Sequence, residues 1–247
     1  MIEVYRLVKR FGPKVVLRSL EFHVATGEFV ALLGPNGAGK TTFLRILASL
    51  SRPTLGIVQI AGYQLPQQAA AVRRKLGVVS HLPLLYGDLT AEENLVFYGR
   101  MYGIYDLNRR TNEVFELVGL TARRRDLVRT FSRGMQQRLA IGRAVLHDPE
   151  VLLLDEPHTG LDQDASAMLD DTLRQVAARG RTVVMTSHDL ARAADLAGRF
   201  DVLSRGMIQA SINASQLPQD GLLAFYRQAL EAAEAGKTAR ANAKVTG

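Results

Sequence analysis

Cysteine is absent from the 247 residues of this chain. That excludes disulfides, thiolate metal sites and a cysteine nucleophile, and it suits a reducing compartment. No apolar run approaches the roughly 18 residues needed to cross a bilayer. The N-terminus, Met1-Ile2-Glu3-Val4-Tyr5-Arg6, lacks the apolar block of a signal peptide, so the chain is expected to be soluble by itself. It also lacks internal repeats, low-complexity segments and sustained heptads. What it has is core material: 47% of residues are apolar, enough for one large domain or two small ones. The net charge of +7 comes from dispersed basic residues, with clusters at Arg73-Arg74-Lys75 and Arg123-Arg124-Arg125. Such clusters are by default solvated faces, with an anionic membrane surface or nucleic acid as the alternatives. No aromatic residues interleave with them as a base-stacking platform requires, and no nucleic-acid partner is expected.

Strands and helices alternate along the chain. Leu20, Phe22 and Val24 share one face of an early strand, and Phe29–Leu33 reads as a buried one. Further strands are expected at 57–60, 76–80, 151–154 and 182–186, and helices at 67–75, 108–119, 164–179 and 189–197. Thr90-Ala91-Glu92-Glu93 has the form of a capping box opening another helix. Ser132 precedes a helix with apolar positions at 135, 139, 142, 145 and 146. This alternation argues for an α/β parallel sheet, with the block 85–147 as an inserted helical subdomain. The residues from about 236 are small, polar and basic, and are expected to be a disordered tail over 236–247.

Two sequence features carry chemistry. Gly34-Pro35-Asn36-Gly37-Ala38-Gly39-Lys40-Thr41, followed by Thr42, matches the phosphate-loop pattern between a strand and a helix. Its glycines let successive N–H groups face one anion, and the helix N-terminus adds partial positive charge. Lys40 can then reach β- and γ-phosphate oxygens, and the Thr41 hydroxyl can ligate Mg²⁺. The second feature is Val151-Leu152-Leu153-Leu154-Asp155-Glu156, a buried strand ending in two carboxylates. Ligands of open α/β sheets bind at such strand ends. Asp155 is assigned to the Mg²⁺ shell, and Glu156 to polarising the attacking water.

Phe131-Ser132-Arg133-Gly134-Met135-Gln136-Gln137-Arg138 resembles the signature motif of ATP-binding-cassette (ABC) ATPases, shortly before the Asp-Glu strand. Gly160-Leu161-Asp162 looks like that family's D-loop, His188 like its switch histidine, and Phe11 like the aromatic that stacks on adenine. The resemblance covers about residues 1–210. It implies a phosphate-loop NTPase with a RecA-like parallel sheet core, an N-terminal antiparallel β subdomain and the inserted helices. The ATPase domain would occupy 1–212, with a helical extension over 213–235. ATP and Mg²⁺ are the implied cofactors. The implied mechanism needs two subunits: Ser132 and Gly134 of one chain close over the nucleotide held by the other. A homodimer or pseudo-symmetric ABC dimer is therefore expected, attached to separate transmembrane permease subunits on the cytoplasmic side of the cell membrane. Single-cassette length and the short span from Lys40 to Ser132 disfavour the soluble, non-transport members.

Three residues depart from the family pattern. His81 replaces a glutamine that touches both metal and water, so it is a catalytic and metal candidate that either tunes turnover or is simply tolerated. Arg133 and Met135 alter the signature while Ser132 and Gly134 survive. His158 replaces a commoner threonine and is read as a surface substitution. His81 together with Asp-Glu-Pro-His-Thr-Gly-Leu-Asp is similar to the haem-exporter ATPase of cytochrome c maturation. The alternative is a drug or lipid-linked polysaccharide exporter. Tyr98, Tyr102 and Tyr105 are read as packing residues rather than docking ones.

Overall fold

A computed structural model describes the backbone over residues 1–80 and 82–245, and side chains over 1–80 and 82–235. Strands β1 (Ile2–Phe11) and β2 (Lys14–Val24) form an antiparallel hairpin, followed by β3 (Phe29–Leu33) and α1 (Lys40–Leu47). Strands β4 (Leu55–Ile60) and β5 (Tyr63–Leu65) complete a four-stranded antiparallel sheet in the order β2-β1-β4-β5. After α2 (Ala69–Lys75) and β6 (Leu76–Val79) comes the expected helical insertion, α3 (Ala91–Tyr102), α4 (Leu107–Leu117) and α5 (Arg133–Val145). The chain then runs through β7 (Val151–Asp155), α6 (Gln163–Ala178), β8 (Thr182–Ser187) and α7 (Leu190–Leu196). It ends with β9 (Arg199–Ser204), β10 (Met207–Asn213) and α8 (Gly221–Val245).

The second sheet has the order β10-β9-β3-β8-β7-β6, parallel except where β10 returns antiparallel to β9. The central strands β3, β7 and β8 carry apolar runs at 29–33, 151–154 and 183–185 because both faces of the sheet are covered. Along β7, Leu152 and Leu154 enter a core shared with the helices, packing with residues such as Phe115, Leu139 and Leu173. Val151 and Leu153 enter a second core with Phe43, Ile46 and Leu20, between this sheet and the antiparallel one. Period-two alternation thus feeds two cores from one strand. Each such side chain contributes about 1.5–3 kcal/mol by burial.

Local sequence sets the helix ends. Thr90 Oγ1 accepts from the Glu93 amide at 3.1 Å while the Thr90 amide donates to Glu93 Oε2 at 2.7 Å, which is the expected capping box. Strands β5, β9 and β10 were not among the sequence expectations. Helix α8 packs on the body, with Leu222 and Ala229 buried and Phe225 against the core. The tail expected over 236–247 falls where side chains are not described, and 246–247 lie outside the described residues. The basic clusters are partly tied up: Arg124 pairs with Glu92 at 2.5 Å and Lys75 with Glu150 at 2.5 Å. Tyr98 packs as expected, its hydroxyl donating to Leu84 O at 2.7 Å. Tyr105 does not; it is fully exposed. Among the described residues no helix is long and apolar enough to cross a membrane.

His147 ties the helical insertion to β6. Its ring stacks on Tyr102 at 3.9 Å and 8°, and Nε2 lies 3.0 Å from Leu76 O. Burial pushes the imidazole down to about 4, despite the bond to Leu76 that favours its protonation. In the unfolded chain the ring titrates near its ordinary 6.5. Between those two values the unfolded state therefore binds more protons. This contribution is complete above pH 6.5 and is lost as pH falls towards 4, with a size on the order of 2 kcal/mol. His147→Gln keeps the donor but does not titrate. Urea midpoints measured at pH 7.5 and pH 4.5 should therefore differ less in that variant than in the parent. Equal pH sensitivity in the two proteins would contradict the assignment.

Candidate functional site

The phosphate loop leaves β3 and turns into α1, in the left-handed or near-extended conformations that its glycines permit. At Gly34 the requirement is also steric, because a Cβ there would stand 2.1 Å from Leu203 O. The end of β9 thus presses directly on the loop. The β9–β10 turn presses on it too, with the Gly206 amide donating to Ala38 O at 3.1 Å. Lys40 is buried, its Nζ donating to Gly34 O at 2.6 Å and lying 3.7 Å from Glu156 Oε1. Beside the loop lies a cavity of about 670 Å³. Residues Pro35 to Thr42 line it, together with Glu156, Thr159 and His188 and with Lys14, Val16, Arg18 and Arg205. Four Lys or Arg side chains against one carboxylate make this a cavity for a polyanion.

Neighbouring parallel strands bring the acids to the loop. β8 lies between β3 and β7, pairing Leu33 with Ser187 and Asp155 with Thr186. Thr186 Oγ1 donates to Asp155 Oδ1 at 2.8 Å and accepts from the Glu156 amide at 2.9 Å. Thr41 Oγ1 lies 3.3 Å from the same Asp155 oxygen. These two hard oxygen donors suit Mg²⁺, which takes one or two protein ligands and completes its shell with phosphate oxygens and water. Glu156 has φ +51°, a left-handed value uncommon for a residue with a side chain. This turns its carboxylate towards His188, whose Nδ1 lies 2.6 Å from Glu156 Oε2.

Ser132, Gly134, Asp162 and Phe11 are not among the residues lining this cavity. Ser132 caps α5, its Oγ accepting from the Met135 amide at 3.3 Å, and Gly134 packs against Ala165 of α6. Asp162 caps α6, with Oδ1 accepting from the Ala165 amide at 2.7 Å. Gly160 has φ +75°, and a Cβ there would meet Arg133 Nη1 at 2.3 Å, so the guanidinium of the signature lies on the D-loop backbone. Phe11 ends β1, is 53% exposed and sits under Lys9 Nζ at 4.7 Å. The fold does not bring it into the cavity. His81 lies outside the described residues. His158, expected at the surface, is buried, because Asp170 of α6 reaches its ring at 2.7 Å.

Several residues escaped the sequence reading. Thr186 was legible only as a polar residue near the end of an apolar strand. Lys14, Arg18 and Arg205 reach the cavity through tertiary packing that leaves no local signature. Arg205 also donates to Ala233 O of α8 at 2.6 Å, joining the cavity wall to the last helix.

Comparison with known proteins gives a consistent result. The family profile described as "ABC transporter" matches residues 17–159. The linearmycin resistance ATP-binding protein LnrL of Bacillus subtilis is 37% identical over 208 residues, covering 83% of this chain and 67% of that one. The Nod factor export ATP-binding protein I of Paraburkholderia xenovorans is 39% identical over 207 residues, covering 83% and 68%. A solved ATP-binding subunit of an ABC transporter superposes with a TM-score of 0.84 at 30% identity, covering 93% of this chain and 99% of that chain. The dimeric cassette MJ0796, in a post-hydrolysis state bound to ADP and Pi, superposes with a TM-score of 0.77 at 27% identity, covering 87% and 99%.

Thr186→Val preserves shape but removes the hydroxyl that holds both Asp155 and the Glu156 amide. The expected outcome is at least about a tenfold fall in the rate of Mg²⁺-dependent ATP hydrolysis, because the two hydrogen bonds lost are each worth about 1 kcal/mol. A phosphate-release assay checks it, with a thermal melt to show that the variant is folded.

Proposed function

The chain belongs to the ABC transporter family, as its ATP-binding, ATP-hydrolysing subunit, and from that premise we propose that it powers export of a drug or of a lipid-linked polysaccharide. Support for this cargo class comes from the relatives, which are named for linearmycin resistance and Nod factor export. They do not support the haem-export expectation, and that reading is replaced. Of the loop residues that suggested it, His158 is engaged by Asp170 of its own subunit, and His81 lies outside the described residues.

In the proposed cycle Lys40 and the loop amides hold the β- and γ-phosphates of ATP. Thr41 and Asp155 hold Mg²⁺, which when bound neutralises charge on those phosphates. Glu156 orients and polarises the attacking water, and His188, 2.6 Å away, holds the Glu156 carboxylate in place. The reaction is driven by positioned charge rather than by covalent chemistry. The observation that carries the reading is this convergence of Lys40, Thr41, Asp155, Glu156 and His188, while Ser132 and Gly134 stand outside the cavity their own chain forms. Each subunit then supplies what the other lacks, and a pair of subunits closes on two nucleotides. The dimer works on the cytoplasmic face of a membrane, beneath separate permease subunits. The exposed Leu84, Tyr86, Phe97 and Met101, on α3 and the segment before it, support that attachment.

Glu156→Gln retains the site's shape and loses the carboxylate. Analytical ultracentrifugation with Mg²⁺ and ATP should show this variant as a stable dimer retaining about one ATP per subunit, with turnover reduced at least about 100-fold. Lys40→Ala should neither dimerise nor hydrolyse. Hydrolysis by Glu156→Gln at the parental rate would remove Glu156 from its role.

A further inference from the structure

His158 stands in the turn after β7, two residues beyond Glu156, and does not line the nucleotide cavity. Its Nε2 lies 2.7 Å from Asp170 Oδ1 on α6. Asp170 Oδ2 accepts from Arg192 Nη1 on α7 at 2.7 Å, and Arg192 Nε lies 3.3 Å from Asp189 Oδ2. Asp189 follows His188 directly and caps α7, its side chain accepting from the Arg192 amide. His188 returns to Glu156 at 2.6 Å. The contacts therefore close into a ring that starts and ends at Glu156.

The ring borders a cavity of about 440 Å³ lined by Glu156, His158, His188, Asp189 and Arg192, and it is closed to solvent at its His158–Asp170 end. The side chains of His158 and Asp170 are each 9% exposed, and Arg192 is 22% exposed. Burial lowers the imidazole pKa, partly offset by Asp170, so the neutral ring donates its Nε2–H to that carboxylate. Nδ1 is buried without a partner. In this tautomer it is a bare lone pair, which is less costly to bury than an N–H. Three elements, the turn after β7, α6 and α7, are thus locked together by charge-assisted hydrogen bonds at one point. The phosphate loop, Lys40 and Thr41 make none of these bonds.

We propose that His158 is a positioning residue for hydrolysis: through Asp170 and Arg192 it fixes the turn after β7 against α7, and so sets the Glu156–His188 contact without touching nucleotide. The proposal rests on the reading of Glu156 and His188 given above. It accounts for a histidine buried here at the expense of one unsatisfied nitrogen. It also separates turnover from binding, because His158, Asp170 and Arg192 do not line the cavity beside the phosphate loop.

The test is steady-state ATP hydrolysis by His158→Phe, His158→Gln, Asp170→Asn and the double variant that combines His158→Phe with Asp170→Asn. Phe fills the space without the donor, and Gln places an amide N–H near where Nε2–H stands. His158→Phe and Asp170→Asn should each lower kcat about tenfold or more, with the KM for ATP held within about twofold. Adding the second substitution should cost no further activity, and His158→Gln should recover most of the loss. The proposal is overturned by parental kcat in His158→Phe, by a KM that rises as kcat falls, or by a Gln variant as slow as Phe. If His158→Phe does not fold, the near-isosteric Asp170→Asn decides by the same kcat and KM criteria. Glu156→Gln run alongside separates the two claims. Full activity there defeats the site reading and this proposal together; its loss alongside normal clamp variants defeats only the proposal.

Discussion

The hydroxyl of Thr186 is the point on which the site depends. It donates to Asp155 and accepts from the amide of Glu156, so one atom on β8 determines where two successive acids of β7 stand. That arrangement requires β7 and β8 to be parallel, adjacent and in a register that pairs residue 155 with residue 186. The register in turn is held by the two cores. A one-residue slip of β7 would exchange the side chains that face the helices with those that face the antiparallel sheet. The hydrophobic pattern of the strands therefore specifies the positions of the charges at their ends.

Local signals made much of this legible. The phosphate loop sits in its strand–turn–helix context, and Asp155-Glu156 closes an apolar strand. The capping box at Thr90 and the cap at Ser132 stand where their patterns put them, since each needs only residues three apart in sequence. The illegible part is what the chain brings together from afar. Strand β9 is hidden in the sequence because its run is broken by Asp201, which is buried; burial raises its carboxyl pKa, and Arg199 beside it opposes that shift. Thr186, Arg18 and Arg205 carry no local mark of their roles. Their relation to the phosphate loop exists only after the sheet is assembled.

His158 shows how a motif-level reading misleads in both directions. Its position two residues beyond Glu156 suggested a surface variant, and its company with His81 suggested a particular cargo. Burial against Asp170 removes the first reading. The relatives, named for linearmycin resistance and Nod factor export, do not support the second. The Arg133 guanidinium likewise lies over Gly160, an altered signature residue matched to its own D-loop.

The backbone twist at Glu156 reaches beyond catalysis. A residue bearing a side chain is held there in a conformation that glycine would adopt more comfortably, at a cost on the order of 1 kcal/mol. On the role proposed for Glu156, the sturdiest version of this polypeptide is therefore not the working one. Under selection for heat endurance alone, with no demand for turnover, this position would drift towards glycine and the lineage would gain durability while falling silent.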